Sequence, residues 1–145
     1  MKPKILFILH LPPPIHGAAM MGKYIQESEL VNSSFDCFCI NLATAGSLSD
    51  IGHISLKKLL KYFFLLKHIS HVVREIRPEL VYITPNAGGK AFFKDFIVVQ
   101  MLKSMGCKVI AHYHNKGVSV YQSKWVYNFF YKRFFSNLKV ILLAE

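Results

Sequence analysis

The amino-terminal segment places an apolar run, three consecutive prolines and a glycine close together. Residues 5–9 are continuously apolar, Pro12 to Pro14 follow, and Gly17 precedes two alanines. A short, continuous apolar run is typical of a strand buried on both faces of a parallel sheet. The prolines can continue neither a β-ladder nor a helix. The segment therefore predicts a buried first strand ending by about His10, then a loop, then a helix beginning near Gly17.

The start of that helix is a candidate anion site. The first N–H groups of a helix have no partner within the helix, and its positive dipole end attracts phosphate or carboxylate. We therefore expect His16 and Gly17 to contact a phosphate-bearing ligand. The fuller glycine signature of dinucleotide sites is absent. A plain strand-to-helix connection, in which Gly17 serves only the turn, is the alternative.

Length and composition set the domain count and suggest a covered surface. A chain of 145 residues can bury one core, so we expect a single domain over residues 1–145. No stretch is long and apolar enough to span a bilayer. The hydrophobic fraction of 52% and mean hydropathy of +0.30 are high for a free-standing domain. They suggest that a partner, a further domain or a membrane covers part of the apolar surface.

The chain is strongly basic, with 18 Lys and Arg against 8 Asp and Glu, a formal net charge of +10. Nucleic acid, an anionic membrane and phosphorylated small molecules would all be attracted. No recognised nucleic-acid motif is present, so we expect no nucleic-acid partner. Two stretches, 55–64 and 124–135, mix cations with large apolar side chains. Each predicts either a helix packed on a sheet or a helix at an anionic bilayer surface.

Three cysteines, Cys37, Cys39 and Cys107, lie in apolar, strand-like runs without a C-x-x-C pair. They are expected to be buried thiols of a reducing compartment, which favours a cytoplasmic protein. No metal site is expected.

Apolar runs and helical periodicity alternate along the whole chain. The predicted strands cover residues 5–9, 35–42, 80–84, 107–113 and 138–143. The predicted helices cover 17–31, 56–76, 91–105 and 123–135, with Gly106 capping the third and a long loop at 43–54. In helix 56–76, Leu56, Leu59, Phe63, Leu66 and Val73 are expected to face the core. This order predicts an α/β fold, a Rossmann-like parallel sheet of about five strands with helices on both faces.

Ligands of such sheets bind beyond the carboxyl ends of the strands. The loop after the third strand offers Asn86 and Gly88 there, followed by Gly89 and Lys90. Small residues allow a polar ligand to approach the backbone, and we expect Asn86 and Gly88 to contact it. The loop lacks P-loop spacing, and an ordinary glycine-rich turn is the alternative.

The fourth strand ends in two histidines on one face, His112 and His114. His112 is interpreted as a hydrogen-bonded core histidine. His114 stands at the carboxyl end, where an imidazole can bind a sugar hydroxyl or phosphate or move a proton, so it is the predicted catalytic residue. Asn115 and Lys116 follow it and are predicted to bind substrate. A third ligand for zinc is not suggested.

Four segments in this order resemble family 4 glycosyltransferases of the GT-B fold. The first is Lys4 to Ala19, with its strand, proline-rich loop and glycine before a helix. Pro78-Glu79-Leu80-Val81-Tyr82 is similar to the family's third strand. Residues 109–114, Val-Ile-Ala-His-Tyr-His, are similar to "V-x-T-x-H". Residues 140–145, Val-Ile-Leu-Leu-Ala-Glu, are similar to "V-I-x-x-S-E". The likeness spans essentially the whole chain.

The resemblance implies the acceptor-binding N-terminal half of a retaining glycosyltransferase. Such an enzyme moves a sugar from a nucleotide-sugar donor to a glycan or lipid-linked acceptor. It implies that Gly17 lies against the donor diphosphate, that His114 reaches the reacting sugar, and that no metal or other cofactor is needed. The family often has Gly-Gly where this chain has His16-Gly17.

The family's donor-binding domain would follow Glu145, so the resemblance implies that this chain alone is inactive. The expected location is the cytoplasm, with peripheral contact at the inner membrane face. A stand-alone Rossmann-like module for a nucleotide or phosphorylated metabolite is the alternative function. A membrane-associated scaffold subunit is a third.

Overall fold

The computed structural model describes residues 1–13, 15–42, 56–114 and 117–142. The strands are β1 (Lys4–Leu9), β2 (Asp36–Asn41), β3 (Leu80–Ile83), β4 (Val109–Tyr113) and β5 (Lys139–Leu142). The helices are α1 (Gly17–Glu27), α2 (Glu29–Ser34), α3 (Leu56–Ile76), α4 (Gly89–Ser104), α5 (Gly117–Tyr121) and α6 (Trp125–Phe135). The predicted loop 43–54 lies outside the described residues.

All five strands form one parallel sheet in the order β2-β1-β3-β4-β5, which confirms the predicted fold class. In the register of this sheet, Phe7 of β1 pairs with Tyr82 of β3, and Tyr82 pairs with Ile110 of β4. The connection from β1 runs to one side, toward β2, and all later connections run to the other side. The switch point of the topology therefore lies between β1 and β3, the place where such sheets bind ligands.

Side chains of β1 alternate between two apolar layers, as expected for a strand buried on both faces. Ile5, Phe7 and Leu9 pack with residues of α1 and α2. Leu6 and Ile8 join the larger core with α3, α4 and α6. Helices therefore cover both faces of the sheet.

The larger layer is built around one aromatic side chain, Phe92 of α4, which is fully buried. Its ring contacts five others, with centroid distances from 4.9 to 6.2 Å; they belong to Phe93, Phe96, Tyr127, Tyr131 and Phe134. This cluster fixes α4 and α6 together on the sheet and thereby fixes the loops that precede them.

One predicted helix is divided. The helix expected over 17–31 ends at Ser28, whose extended backbone closes α1 while its side chain accepts from the Val31 N–H to cap α2. The helix expected over 123–135 is confirmed as α6, and a separate short helix, α5, precedes it. Serine competes for backbone hydrogen bonds at such points, and apolar periodicity alone does not show it.

Two burial predictions are wrong in part. On α3, Val73 is buried as predicted and Leu66 is partly buried against the core. Tyr62 and Ile69 complete the buried side, whereas Leu56, Leu59 and Phe63 are exposed. Cys39 is exposed as well, because β2 forms an edge of the sheet; Cys37 and Cys107 are partly buried. Within the described part of the chain, none of the helices combines the length and the apolarity required to cross a bilayer.

Candidate functional site

The carboxyl ends of β1, β3 and β4 lie side by side and carry polar side chains. Five buried side-chain N and O atoms of the described residues make no hydrogen bond to the protein. They are His10 Nδ1, Thr84 Oγ1, Tyr113 OH and both ring nitrogens of His114. All belong to the last residue of one of these strands or to the residue after it. We call His10, Thr84, Asn86 and His114 the carboxyl-edge site.

His10 follows β1 and faces the loop after β3. Its Nε2 lies 3.4 Å from the Asn86 side-chain nitrogen, and its ring lies 6.1 Å from that of His16 between centroids. Burial first, and then the charges of His16 and Lys94, lower the pKa of His10 from 6.5 to about 4. The Thr84 backbone raises the pKa of His10 and offsets only part of this fall. His10 is therefore a neutral imidazole at neutral pH.

Asp95 holds the loop that contacts His10. It is one of the two buried polar or charged residues of the described core, the other being Thr84. One of its oxygens, Oδ2, accepts hydrogen bonds from the backbone N–H and the side-chain amide of Asn86, at 2.7 and 2.8 Å. Burial raises the pKa of Asp95 to about 6, although these two hydrogen bonds oppose the rise. Asn86 is thus a positioning residue, and a direct ligand contact by it stays a prediction.

His114 follows β4 and packs on His112, with ring centroids 4.1 Å apart. His112 Nδ1 forms a hydrogen bond with the Tyr82 hydroxyl, as expected for a satisfied structural histidine. Burial lowers the pKa of His114, and the neighbouring His112 lowers it further. His114 is therefore held neutral with two ring nitrogens that no described side chain satisfies.

The first turn of α1 lies beside His10. His16 is the N-cap residue, and its Nδ1 accepts from the Ala19 N–H at 3.3 Å. Gly17 opens the helix, and a Cβ added to it would meet no atom within 4 Å. The position of a Cβ at Gly17 is therefore open, and contact of Gly17 with a ligand stays a prediction. One turn later, Gly22 is needed for packing, because a Cβ there would strike the His10 carbonyl oxygen.

Gly88 has aromatic neighbours. It is the N-cap of α4, and a Cβ on it would strike the ring of Tyr121. The Tyr131 hydroxyl donates to the carbonyl of Ala87 in the same loop. A ligand that reaches the Gly88 backbone must therefore share this space with Tyr121. Asn115 and Lys116, the other predicted binding residues, lie outside the described residues.

Three residues of this region were not predicted from the sequence: His10, Asp95 and Gly22. In the sequence, His10 is recognisable only as the end of a strand. Asp95 is the one carboxylate in the stretch 92–99 of α4, but it follows Lys94, so the pair resembles part of a charged outer face. Gly22 stands alone in a helical pattern, and such a glycine often marks close packing.

The site combines neutral imidazoles with helix N–H groups. A neutral imidazole both donates and accepts a hydrogen bond, which suits sugar hydroxyls, and a helix N-terminus suits phosphate oxygens. Among residues 1–13, 15–42, 56–114 and 117–142, no three His, Cys, Asp or Glu side chains are arranged to hold a metal ion.

Comparisons of the chain with family models, curated proteins and solved structures found no match.

Proposed function

We propose that this chain is the acceptor-side half of a retaining glycosyltransferase that uses a nucleotide-sugar donor. The observation that carries the proposal is the set of four buried polar atoms without protein partners on His10, Thr84 and His114, at the carboxyl ends of β1, β3 and β4. Buried polar groups are costly unless they find hydrogen bonds, and a hydroxyl-rich ligand would supply them. The ordered resemblance of four segments to family 4 glycosyltransferases supports the choice of ligand.

In such a transfer, the acceptor hydroxyl oxygen replaces the nucleotide phosphate at the anomeric carbon. The hydroxyl proton leaves with the phosphate group. His114 would contact the reacting sugar, and His10, held by Asn86, would contact a second hydroxyl. Gly17 and His16 would lie against the diphosphate at the start of α1. Asn115 and Lys116 follow His114 in sequence and are proposed to bind the same ligand.

A second domain would complete this reaction in the proposal. Transfer requires that donor and acceptor be held together and shielded from water, and closure of two domains achieves both. The chain by itself is therefore proposed to transfer no sugar and to bind donor only weakly. Its proposed location is the cytoplasm.

Calorimetric titration with UDP-glucose and with UDP tests the proposal. The expected affinity of the unmodified chain is millimolar. His114→Ala should weaken it at least tenfold, because one well-placed hydrogen-bonding side chain contributes about that much. His68→Ala is the matched control, since His68 lies on an exposed side of α3. Equal losses in both variants, or sugar transfer by the chain alone, would contradict the proposal.

A stand-alone module for a nucleotide or phosphorylated metabolite is the second candidate. The observation in its favour is the switch point between β1 and β3, which this chain forms without help from another domain. A complete site of this kind would bind UDP or another nucleotide with micromolar affinity. The same titration therefore separates the two candidates.

A further inference from the structure

The first turns of α3 carry a second apolar surface that faces away from the core. Its five side chains are 51 to 74% exposed: Leu56, Leu59, Leu60, Phe63 and Phe64. We call these five residues the α3 outer surface. Tyr62, on the other side of the same turns, is buried. Scattered exposed apolar residues are ordinary, but five within three turns indicate an interaction surface.

Lysines accompany this surface, and α3 itself carries no carboxylate before Glu75. Lys57, Lys61 and Lys67 are exposed on α3, and Lys67 Nζ lies 4.8 Å from the centre of the Phe63 ring. The first acidic residue of the helix is Glu75, in its last turn, where it pairs with His71. The α3 outer surface therefore offers apolar contact and positive charge together.

This charge pattern selects among the partners that could cover the surface. A second copy of the chain would bring the same lysines toward each other, and like charges oppose such pairing. An anionic bilayer can accommodate both the apolar side chains and the lysines of this surface. Leucine and phenylalanine side chains enter the interface, while lysines extend their stems along it and pair with headgroups.

We propose that the α3 outer surface docks this protein on anionic lipid bilayers. The helix lies in the plane of the interface and does not cross it. Docking is a property of α3 alone, so it does not depend on the glycosyltransferase proposal.

The docking surface is close to the candidate site. The Tyr62 hydroxyl donates to the Lys94 carbonyl of α4 at 2.6 Å, and Asp95, the next residue, holds Asn86. One side of a single α3 turn thus contacts the segment that supports the carboxyl-edge site, while the other side would meet lipid. A docking surface this close to the site favours a lipid-linked acceptor over a soluble one. This choice of acceptor rests on the proposed function.

Vesicle co-sedimentation of the full chain tests the docking proposal. The probes are vesicles of phosphatidylcholine alone and vesicles that contain phosphatidylglycerol as well. We expect binding only to the second kind, weakened by salt. The double variant Leu60→Ser/Phe64→Ser removes apolar contact. The triple variant Lys57→Gln/Lys61→Gln/Lys67→Gln removes charge. Each should lower partitioning at least tenfold, since one lysine near such a surface contributes roughly fivefold.

Matched controls are available elsewhere on the molecule. Tyr24→Ser/Leu30→Ser removes two exposed apolar side chains from α1 and α2, on the opposite face of the sheet. Lys23→Gln/Lys108→Gln/Lys139→Gln removes three exposed lysines outside α3. Both controls should retain binding within about threefold, because general loss of charge acts weakly at long range. Circular dichroism and urea unfolding of each variant show whether it is folded.

Several outcomes would overturn the proposal. The first is that the folded chain does not bind phosphatidylglycerol vesicles. The second is that the control variants lose as much binding as the α3 variants. Loss of binding in Trp125→Ser/Phe129→Ser, but not in the α3 variants, would place the contact on α6 instead. A dimer in sedimentation velocity that Leu60→Ser/Phe64→Ser dissociates would show that a second copy covers the surface. None of these results bears on UDP-glucose affinity, so the two proposals fail separately.

Discussion

Asn86 donates both its backbone N–H and its side-chain amide to a single oxygen of Asp95, and the same amide nitrogen lies 3.4 Å from His10 Nε2. A buried acid on α4 is thereby connected, through one loop residue, to a buried imidazole at the end of β1. Asp95 and His10 titrate in the same pH range, and their protonation has opposite effects on the stability of the fold. This relationship gives the carboxyl-edge site a measurable signature even before any ligand is bound.

His10→Gln should change how stability responds to acid. The folded pKa of His10, about 4, is below its ordinary value of 6.5, so the unfolded chain binds the proton first. Stability that is present above pH 6.5 is therefore lost as pH falls toward 4. The variant lacks this loss. Between about pH 7 and about pH 4, its free energy of unfolding should rise relative to the parent by about 3 kcal/mol, as measured by urea unfolding. If the free energies of unfolding of variant and parent differ by the same amount at every pH in this range, that result would contradict a buried, neutral His10.

Asp95→Asn should do the opposite. Burial raises the folded pKa of Asp95 from 3.8 to about 6, so the folded chain holds the proton more tightly. The parent therefore gains stability as pH falls through this window, and the variant does not. Its free energy of unfolding should fall relative to the parent by about 2 kcal/mol over the same range. A variant that follows the parent at every pH would show that the carboxyl is not buried as described.

Gly22→Ala and Gly17→Ala should separate packing from ligand contact. The new methyl at position 22 meets the His10 carbonyl, so α1 must shift and the free energy of unfolding should fall by about 1–3 kcal/mol. The new methyl at position 17 meets no protein atom, so unfolding should be nearly unchanged. Affinity for UDP-glucose should nevertheless fall in Gly17→Ala if a diphosphate lies against that backbone. Equal stability of the two variants in urea would count against the described α1 packing.

Phe92→Ala tests the aromatic layer of α4 and α6 that supports the site. Removing a fully buried ring with five aromatic neighbours should cost about 3–5 kcal/mol, measured by urea unfolding. Phe129→Ala is the matched control, because that ring is 60% exposed, and it should change stability by at most about 0.5 kcal/mol. Comparable effects of the two substitutions would contradict the assignment of α4 and α6 to the core.

Much of this fold follows from local patterns. The apolar runs that become β1, β3 and β4 are short and continuous, and residues that disfavour strands bound them. The hydrophobic pattern and these flanking residues together identify the strands. Gly106 is predicted as a cap and confirmed: its φ of 77° lets the Cys107 N–H return to the Leu102 carbonyl at 3.0 Å.

The exposed side of α3 could not be predicted in the same way. Leu56, Leu60 and Phe63 form one apolar stripe, and Tyr62, Ile69 and Val73 form another. Only packing against α4, including the Tyr62 hydrogen bond to Lys94, decides which stripe is inside. Local periodicity does not encode that choice.

The location of the site could be predicted from the sequence, but the contacts between its residues could not. A histidine at the carboxyl end of a parallel strand is a general signal, and it predicts His114 as a site residue. The link from His10 to Asp95 joins residues far apart in sequence and depends on how β1 lies beside β3. In the sequence, Asp95 follows Lys94 on a helix and resembles part of a charged outer face.

Imidazole NMR of the chain during titration with UDP-glucose tests the central claim most directly. We expect the His114 and His10 resonances to move together, with one saturable millimolar affinity, while His68 stays in place. In His114→Ala, the affinity that the His10 resonance reports should be at least tenfold weaker. Shifts confined to exposed histidines such as His68, or saturation that leaves His114 and His10 unmoved, would contradict a sugar-nucleotide site at the carboxyl ends of β1, β3 and β4.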